Sequence, residues 1–78
     1  MVASVEDLLS YISASGIPYK VISRSENGRV ATILIRNPKD VPLMSARFSG
    51  TRPYRTIYGY TFVGTVRHVS GRIFRISV

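Results

Sequence analysis

The chain has 78 residues, no cysteine and a net charge of +7. This length predicts one domain with a thin core, and the lack of cysteine excludes disulfide bonds and thiolate metal sites. The longest apolar run, residues 30–35, is too short to span a membrane. Glu6 and Asp7 stand where a signal peptide would carry basic residues, so we expect a soluble, cytoplasmic protein.

Charge is distributed unevenly along the chain. The first forty residues carry five basic and four acidic side chains, whereas the last thirty-eight carry six arginines and no acid. Six of the eight aromatic residues also lie in this acid-free part. Arginine binds phosphate through two hydrogen bonds and stacks on bases, so the composition predicts a surface for nucleic acid. A GC-rich or heat-adapted genome is the alternative explanation for the arginine excess.

The first predicted element is an amphipathic helix over residues 4–15. Its apolar residues recur at i, i+3, i+4 and i+7, which places them on one face toward the core. Ser4 can cap the helix together with Asp7, and Gly16 followed by Pro18 ends it. The apolar stripe consists of Val5, Leu8, Leu9 and Ile12.

A β-hairpin is predicted over residues 19–36. Asn27-Gly28 is a strong signal for a two-residue type I′ turn, because both residues tolerate a positive φ. Such a turn pairs Val21 with Leu34. The outgoing strand is apolar at almost every position, so we expect it to be central in the sheet.

The rest of the chain predicts a turn over residues 37–41 and three further strands. Residues 49–53 are rich in Ser, Gly and Pro, which predicts a mobile basic loop. Gly59 and Gly64 are expected to bulge or bend the second of these strands, which is too long to be regular. The three strands span about residues 43–48, 54–69 and 72–78.

Ser70-Gly71 predicts a second hairpin turn. A two-residue turn there pairs Arg67 with Phe74, and residues 67–72 then project into solvent as a basic finger. The whole chain, residues 1–78, is predicted to be a single α+β domain. One N-terminal helix packs on about five antiparallel strands, which form either an open sheet or a small closed barrel.

Signatures of an enzyme are missing from the sequence. His68 is the only histidine, and the four acids are accounted for by helix capping and by turns. The spacing from Gly59 to Gly64 resembles a phosphate-binding loop, but Thr65 and Val66 replace the required Lys and Ser/Thr. We therefore expect no catalysis, no cofactor, no metal and no small-molecule substrate.

A non-enzymatic nucleic-acid-binding protein is the favoured interpretation. The tyrosines near residues 54–60 either stack on bases beside arginines or fill the core. RNA or single-stranded DNA is preferred over duplex, because the only predicted helix is acidic at its start and suits no major groove. The candidate nucleic-acid contacts are Arg52, Tyr54, Arg55, Tyr58, Tyr60, Arg67, Arg72 and Arg75.

The alternative is a protein-interaction module, such as a small inhibitor, a viral accessory protein or a subunit, whose basic face docks on an acidic partner. Edge strands and a thin core favour a homodimer with two-fold symmetry under either interpretation.

Overall fold

The computed structural model describes residues 3–78 and shows an α+β fold in which an N-terminal helix precedes an open, five-stranded antiparallel sheet. The strand order is β1-β2-β5-β4-β3. The fold prediction is confirmed, and the sheet is open rather than closed into a barrel. In chain order the elements are α1 (Val5–Ala14), β1 (Tyr19–Arg24), β2 (Val30–Ile35), a short 3-10 helix (Pro38–Asp40), α2 (Val41–Phe48), β3 (Gly50–Arg55), β4 (Thr61–Ser70) and β5 (Ile73–Ser77).

Helix α1 forms as its capping residues predict. The backbone N–H of Ser4 donates to Asp7 Oδ2 at 2.8 Å, and the hydroxyl of Ser4 accepts from Glu6 N at 3.3 Å. These bonds satisfy backbone donors that the first turn of a helix leaves unpaired. Gly16 follows the helix with φ of 81°. All four residues of the apolar stripe are buried.

The strand predicted over residues 43–48 is wrong, because this segment forms helix α2. Pro42 lies in the first turn, where its missing N–H leaves no hydrogen bond broken. Met44 and Phe48 are four residues apart and both are buried, as on one face of a helix. The helical spacing is present in the sequence but spans only one repeat.

The prediction of a loop over residues 49–53 and of one strand over residues 54–69 is also wrong. Strand β3 begins at Gly50 and ends at Arg55, and β4 begins at Thr61. Between them lies a tight turn in which Gly59 N donates to Thr56 O at 3.0 Å. Gly59 has φ of 90°, so it reverses the chain instead of bulging a strand.

Gly64 lies within β4, opposite Arg52, without a shift of register. A Cβ at this position would lie 3.1 Å from Leu8 Cδ2 and 3.1 Å from Tyr54 Cε2. The glycine therefore lets α1 approach the sheet closely, which is a packing role and not the predicted bend.

The predicted register of the first hairpin holds beside the turn, where Arg24 pairs with Ala31, and is wrong by one residue beyond a bulge, whereas the register of the second hairpin is wrong along its whole length. Val21 pairs with Ile33 rather than Leu34, because the register shifts between Val21 and Ser23. In the first turn only Gly28 has a positive φ, of 71°, so the turn is not type I′. A bulge within β1, which alternation cannot locate, thus decides which side chains share a face.

In the second hairpin Arg67 pairs with Arg75, and Phe74 pairs with His68. The register shifts between His68 and Ser70, and the chain reverses at Gly71 and the residue after it. Two arginines that the predicted register placed on opposite faces therefore lie side by side.

The hydrophobic core lies between the two helices and one face of the sheet. Its sheet residues alternate along the strands, as in Ile33 of β2 and Phe74 of β5, which are fully buried. Helix α2 lies beside the end of α1, since Arg47 Nη1 donates to Ser15 O at 3.3 Å. The molecule measures 18 Å across its thinnest axis, as two layers require. No element among residues 3–78 covers the opposite face, which we call the open face.

Candidate nucleic-acid interface

Two arginines face each other at the centre of the open face. Arg75 lies between the buried residues Phe74 and Ile76, so its side chain points away from the core, and its direct cross-strand partner is Arg67. Both arginines are exposed. Like charges directly opposite each other on a sheet are unfavourable.

No acid compensates this pair, because no strand of the sheet carries Asp or Glu. Glu6 and Asp7 lie on α1, Glu26 lies in the first hairpin turn and Asp40 ends the 3-10 helix. Within the described residues one ion pair is present, with Arg24 Nε 3.0 Å from Glu6 Oε1. The open face is therefore a region of uncompensated positive charge.

Hydroxyl groups surround the arginine pair. Thr65 pairs with Ser77 two residues along the same two strands, and both line a cleft of about 250 Å³ with Arg67, Arg75 and Val30. Guanidinium and hydroxyl groups together are the donors that bind phosphate oxygens in nucleic-acid complexes. Both kinds of donor therefore line one cleft of the open face.

Two further cations share the open face. Lys20 of β1 is opposite Leu34, and Arg55 of β3 is opposite Thr61 at the far end of β4. Thr61 is six residues from Arg67 along β4, a distance of about 20 Å at 3.3 Å per residue. The charge therefore extends across the sheet.

The other two candidate arginines make contacts within the fold. Arg52 Nε donates to Ser49 O at 3.2 Å and its Nη1 donates to Arg47 O at 3.0 Å, so it binds the carbonyls at the end of α2. Arg72 Nη1 donates to Arg36 O at 3.0 Å. Both side chains remain exposed, but the structure does not bring them together with the arginine pair.

Tyr54 lies on the covered face of the sheet and is half-buried. Its ring centroid is 5.1 Å from that of Tyr11 and 5.6 Å from that of Phe62. Burial raises the pKa of Tyr54, although the nearby Arg52 lowers it in part. This placement favours the core alternative over base stacking for Tyr54.

Tyr58 and Tyr60 lie in the turn between β3 and β4 and are 72% and 57% exposed. Ile57, which no sequence argument singled out, is 89% exposed beside them. Ile57 could have been identified in the sequence as a branched apolar residue followed by Tyr-Gly in a turn, where polar residues are the norm.

A groove of about 590 Å³ separates this turn from α1. The hydroxyl of Tyr11, a lining residue, accepts from Arg55 N at 2.9 Å and donates to Arg55 O. Because these two hydrogen bonds join Tyr11 of α1 to the outer edge of β3, they fix the position of the turn relative to α1. The groove is lined by Asp7, Ser10, Tyr11, Ala14, Arg55, Thr56, Ile57 and Tyr58.

The side chain of His68 makes contacts within the fold. Its Nε2 lies 2.7 Å from Gly71 O, and its ring centroid is 4.8 Å from that of Phe74, so the side chain supports the β4–β5 turn. Among residues 3–78 no three His, Cys, Asp or Glu side chains converge as a metal site would require. No helix in that range is long and apolar enough to cross a membrane.

Comparison with family models, with curated proteins and with solved structures finds no match to this chain.

Proposed function

We propose that this chain is a non-enzymatic nucleic-acid-binding protein whose open face holds the phosphodiester backbone. The observation that carries the proposal is the direct pairing of Arg67 with Arg75 on a sheet that bears no acid. A phosphate seated between the two guanidinium groups turns a repulsive pair into two charge-assisted contacts. Thr65 and Ser77 supply hydroxyl donors beside it.

RNA or single-stranded DNA is the preferred ligand over duplex DNA. The outer face of α1 presents Glu6, Ser10 and Ser13, which are exposed, and the helix carries no basic residue to bind phosphates. Helix α2 has only eight residues and buries Met44 and Phe48. Neither helix therefore provides a recognition surface for the major groove.

The test is fluorescence polarisation with labelled single-stranded RNA, single-stranded DNA and duplex DNA of equal length, each titrated at 50 and 200 mM salt. We expect the single strands to bind more tightly than the duplex, with an affinity that falls as salt rises because phosphate binding releases counterions. Failure of all three probes to bind at 50 mM salt would refute the proposal.

An acidic protein partner is the second candidate. It is favoured by the absence of aromatic rings from the strand positions of the open face, where only Arg, Lys, Thr, Ser and aliphatic residues lie. Such a face binds carboxylates as well as phosphates. Failure to bind any oligonucleotide, combined with salt-sensitive binding to polyglutamate, would support this candidate instead.

A further inference from the structure

Two hairpin turns of this protein share one backbone geometry. In residues 25–29 Gly28 N donates to Ser25 O at 3.1 Å, and in residues 56–60 Gly59 N donates to Thr56 O at 3.0 Å. Both glycines have a positive φ, of 71° and 90°. In each turn the first side-chain hydroxyl also accepts from the fifth residue's N–H, at 3.2 Å from Arg29 and 3.1 Å from Tyr60.

The two turns differ at their tips. The first carries Glu26-Asn27, which is the usual polar chemistry of a turn, whereas the second carries Ile57-Tyr58. Because a polar tip satisfies the same geometry in the same molecule, the fold does not require an apolar tip. Ile57 nevertheless leaves 89% of its surface in contact with water. A contact made by the tip with another molecule explains its composition.

The groove beside the tip is suited to a flat, partly apolar group. Tyr11, Ala14, Ile57 and Tyr58 provide apolar surface. Asp7 is the only acid in the groove, and its Oδ2 already accepts the Ser4 N–H at 2.8 Å.

The tip is also continuous with the cationic open face. Strand β4 joins the turn to Arg67, and Arg55 is the last residue of β3 before the turn. A strand held by its phosphates on the open face would reach the tip after about 20 Å. Exposed aromatic rings beside a cationic track are the arrangement by which proteins stack unpaired bases.

We infer that the Ile57-Tyr58 tip and its groove form a stacking site for an unpaired nucleobase. This role rests on the nucleic-acid function proposed above and assigns it a second contact, to bases rather than to phosphates. An unpaired base enters such a site without the cost of opening a duplex, so the ligand is a single strand or a loop.

The test variant is Ile57→Asn/Tyr58→Asn, which copies the polar chemistry of the first turn and leaves the net charge unchanged. The matched control is Ile22→Asn, which removes another exposed isoleucine, 51% exposed, at the edge strand β1. The probes are a fluorescein-labelled single-stranded DNA octanucleotide and an octamer of the same charge in which every base is replaced by an abasic tetrahydrofuran residue. Circular dichroism and thermal melting verify that each variant folds.

We expect the tip variant to bind the octanucleotide at least about fivefold more weakly, the lower end of the effect of losing one stacked base. Its salt dependence and its binding to the abasic octamer should equal those of the natural chain, and Ile22→Asn should change neither affinity. Equal affinity of the natural chain and the tip variant for the octanucleotide would overturn the inference while leaving the phosphate-binding function intact. Equal loss toward both probes would overturn it too, since the tip would then act on the backbone.

A natural chain that binds neither octamer would refute the proposed function itself. Failure of the proposed function and failure of the stacking inference therefore give different results.

Discussion

Replacing Arg67 and Arg75 together by threonine should stabilise the protein and weaken its binding of nucleic acid. A Thr–Thr pair already exists in the same sheet, where Thr51 Oγ1 and Thr65 Oγ1 are 2.9 Å apart. Removing two like charges from directly opposite positions should raise the free energy of unfolding by about 0.2–1 kcal/mol. For a domain of this size that corresponds to an increase in Tm of roughly 1–8 °C.

The effect on binding follows from the number of cations on the open face. The proposed function assigns one phosphate contact to each of Lys20, Arg55, Arg67 and Arg75, and with four contacts log K should fall with log salt with a slope of about −2.8 for a single strand. The double variant keeps two contacts, for which the same relation gives about −1.4. Raising salt from 50 to 200 mM should thus weaken binding about fifty-fold in the natural chain and about sevenfold in the variant.

The assay is fluorescence polarisation across a salt series, combined with urea denaturation of the same preparations. Lys39→Gln/Arg47→Gln is the matched control, since it also removes two charges, from the 3-10 helix and α2 and away from the open face. If both double variants reduce the slope equally, binding follows net charge and not the arginine pair. A loss of stability in the threonine variant would show that the pair is not repulsive.

Four other substitutions each test the role of a single residue. The Tyr54 hydroxyl is buried without a hydrogen-bond partner among the described residues, so Tyr54→Phe should raise the free energy of unfolding by about 1 kcal/mol in urea denaturation. Burial raises the pKa of the Tyr54 hydroxyl, so as the pH rises the unfolded chain loses this proton before the folded protein does. The free energy of unfolding should therefore fall above about pH 10, and it should fall more in the natural chain than in Tyr54→Phe. Arg52→Ala should lower the free energy of unfolding by about 1 kcal/mol, because its bonds to α2 are lost, and should leave the salt slope of binding unchanged. Arg55→Ala should flatten that slope. The reverse result would place Arg52 in the interface. Gly59→Ala should lower stability by about 1–2 kcal/mol, because φ of 90° is unfavourable for alanine, and an unchanged Tm would show that the turn adopts another geometry.

Local signals in the sequence were sufficient to predict α1 and to predict that most of the chain after it forms strands. The caps at Ser4 and Gly16 and four apolar residues in helical spacing involve only near neighbours along the chain, so no tertiary information is needed. Helix α2 was missed because one repeat, from Met44 to Phe48, cannot outweigh flanking residues that resemble a strand.

The candidate interface was less predictable from the sequence, because it depends on the register of the strands. Arginine-rich composition indicated a polyanion, but the turn at Gly71 and Arg72, together with a shift between His68 and Ser70, decides that Arg67 faces Arg75. Tyr54, Tyr58 and Tyr60 share one parity in the sequence, yet the turn at Gly59 separates a half-buried ring from two exposed ones. Pairing across a sheet is a long-range property that composition and alternation do not encode.

The place of β5 in the sheet has a consequence for how the protein is made. The last strand along these residues is the central one, between β2 and β4, and its side chains Phe74 and Ile76 are fully buried. During synthesis α1, β1, β2 and α2 therefore emerge with the middle of their sheet missing, and Ile33 is paired on one side only, with Val21, until residue 74 arrives. We expect nascent chains that end before β5 to stay unfolded and protease-sensitive, and the full chain to fold slowly for its size, since closing the sheet requires contacts between distant residues.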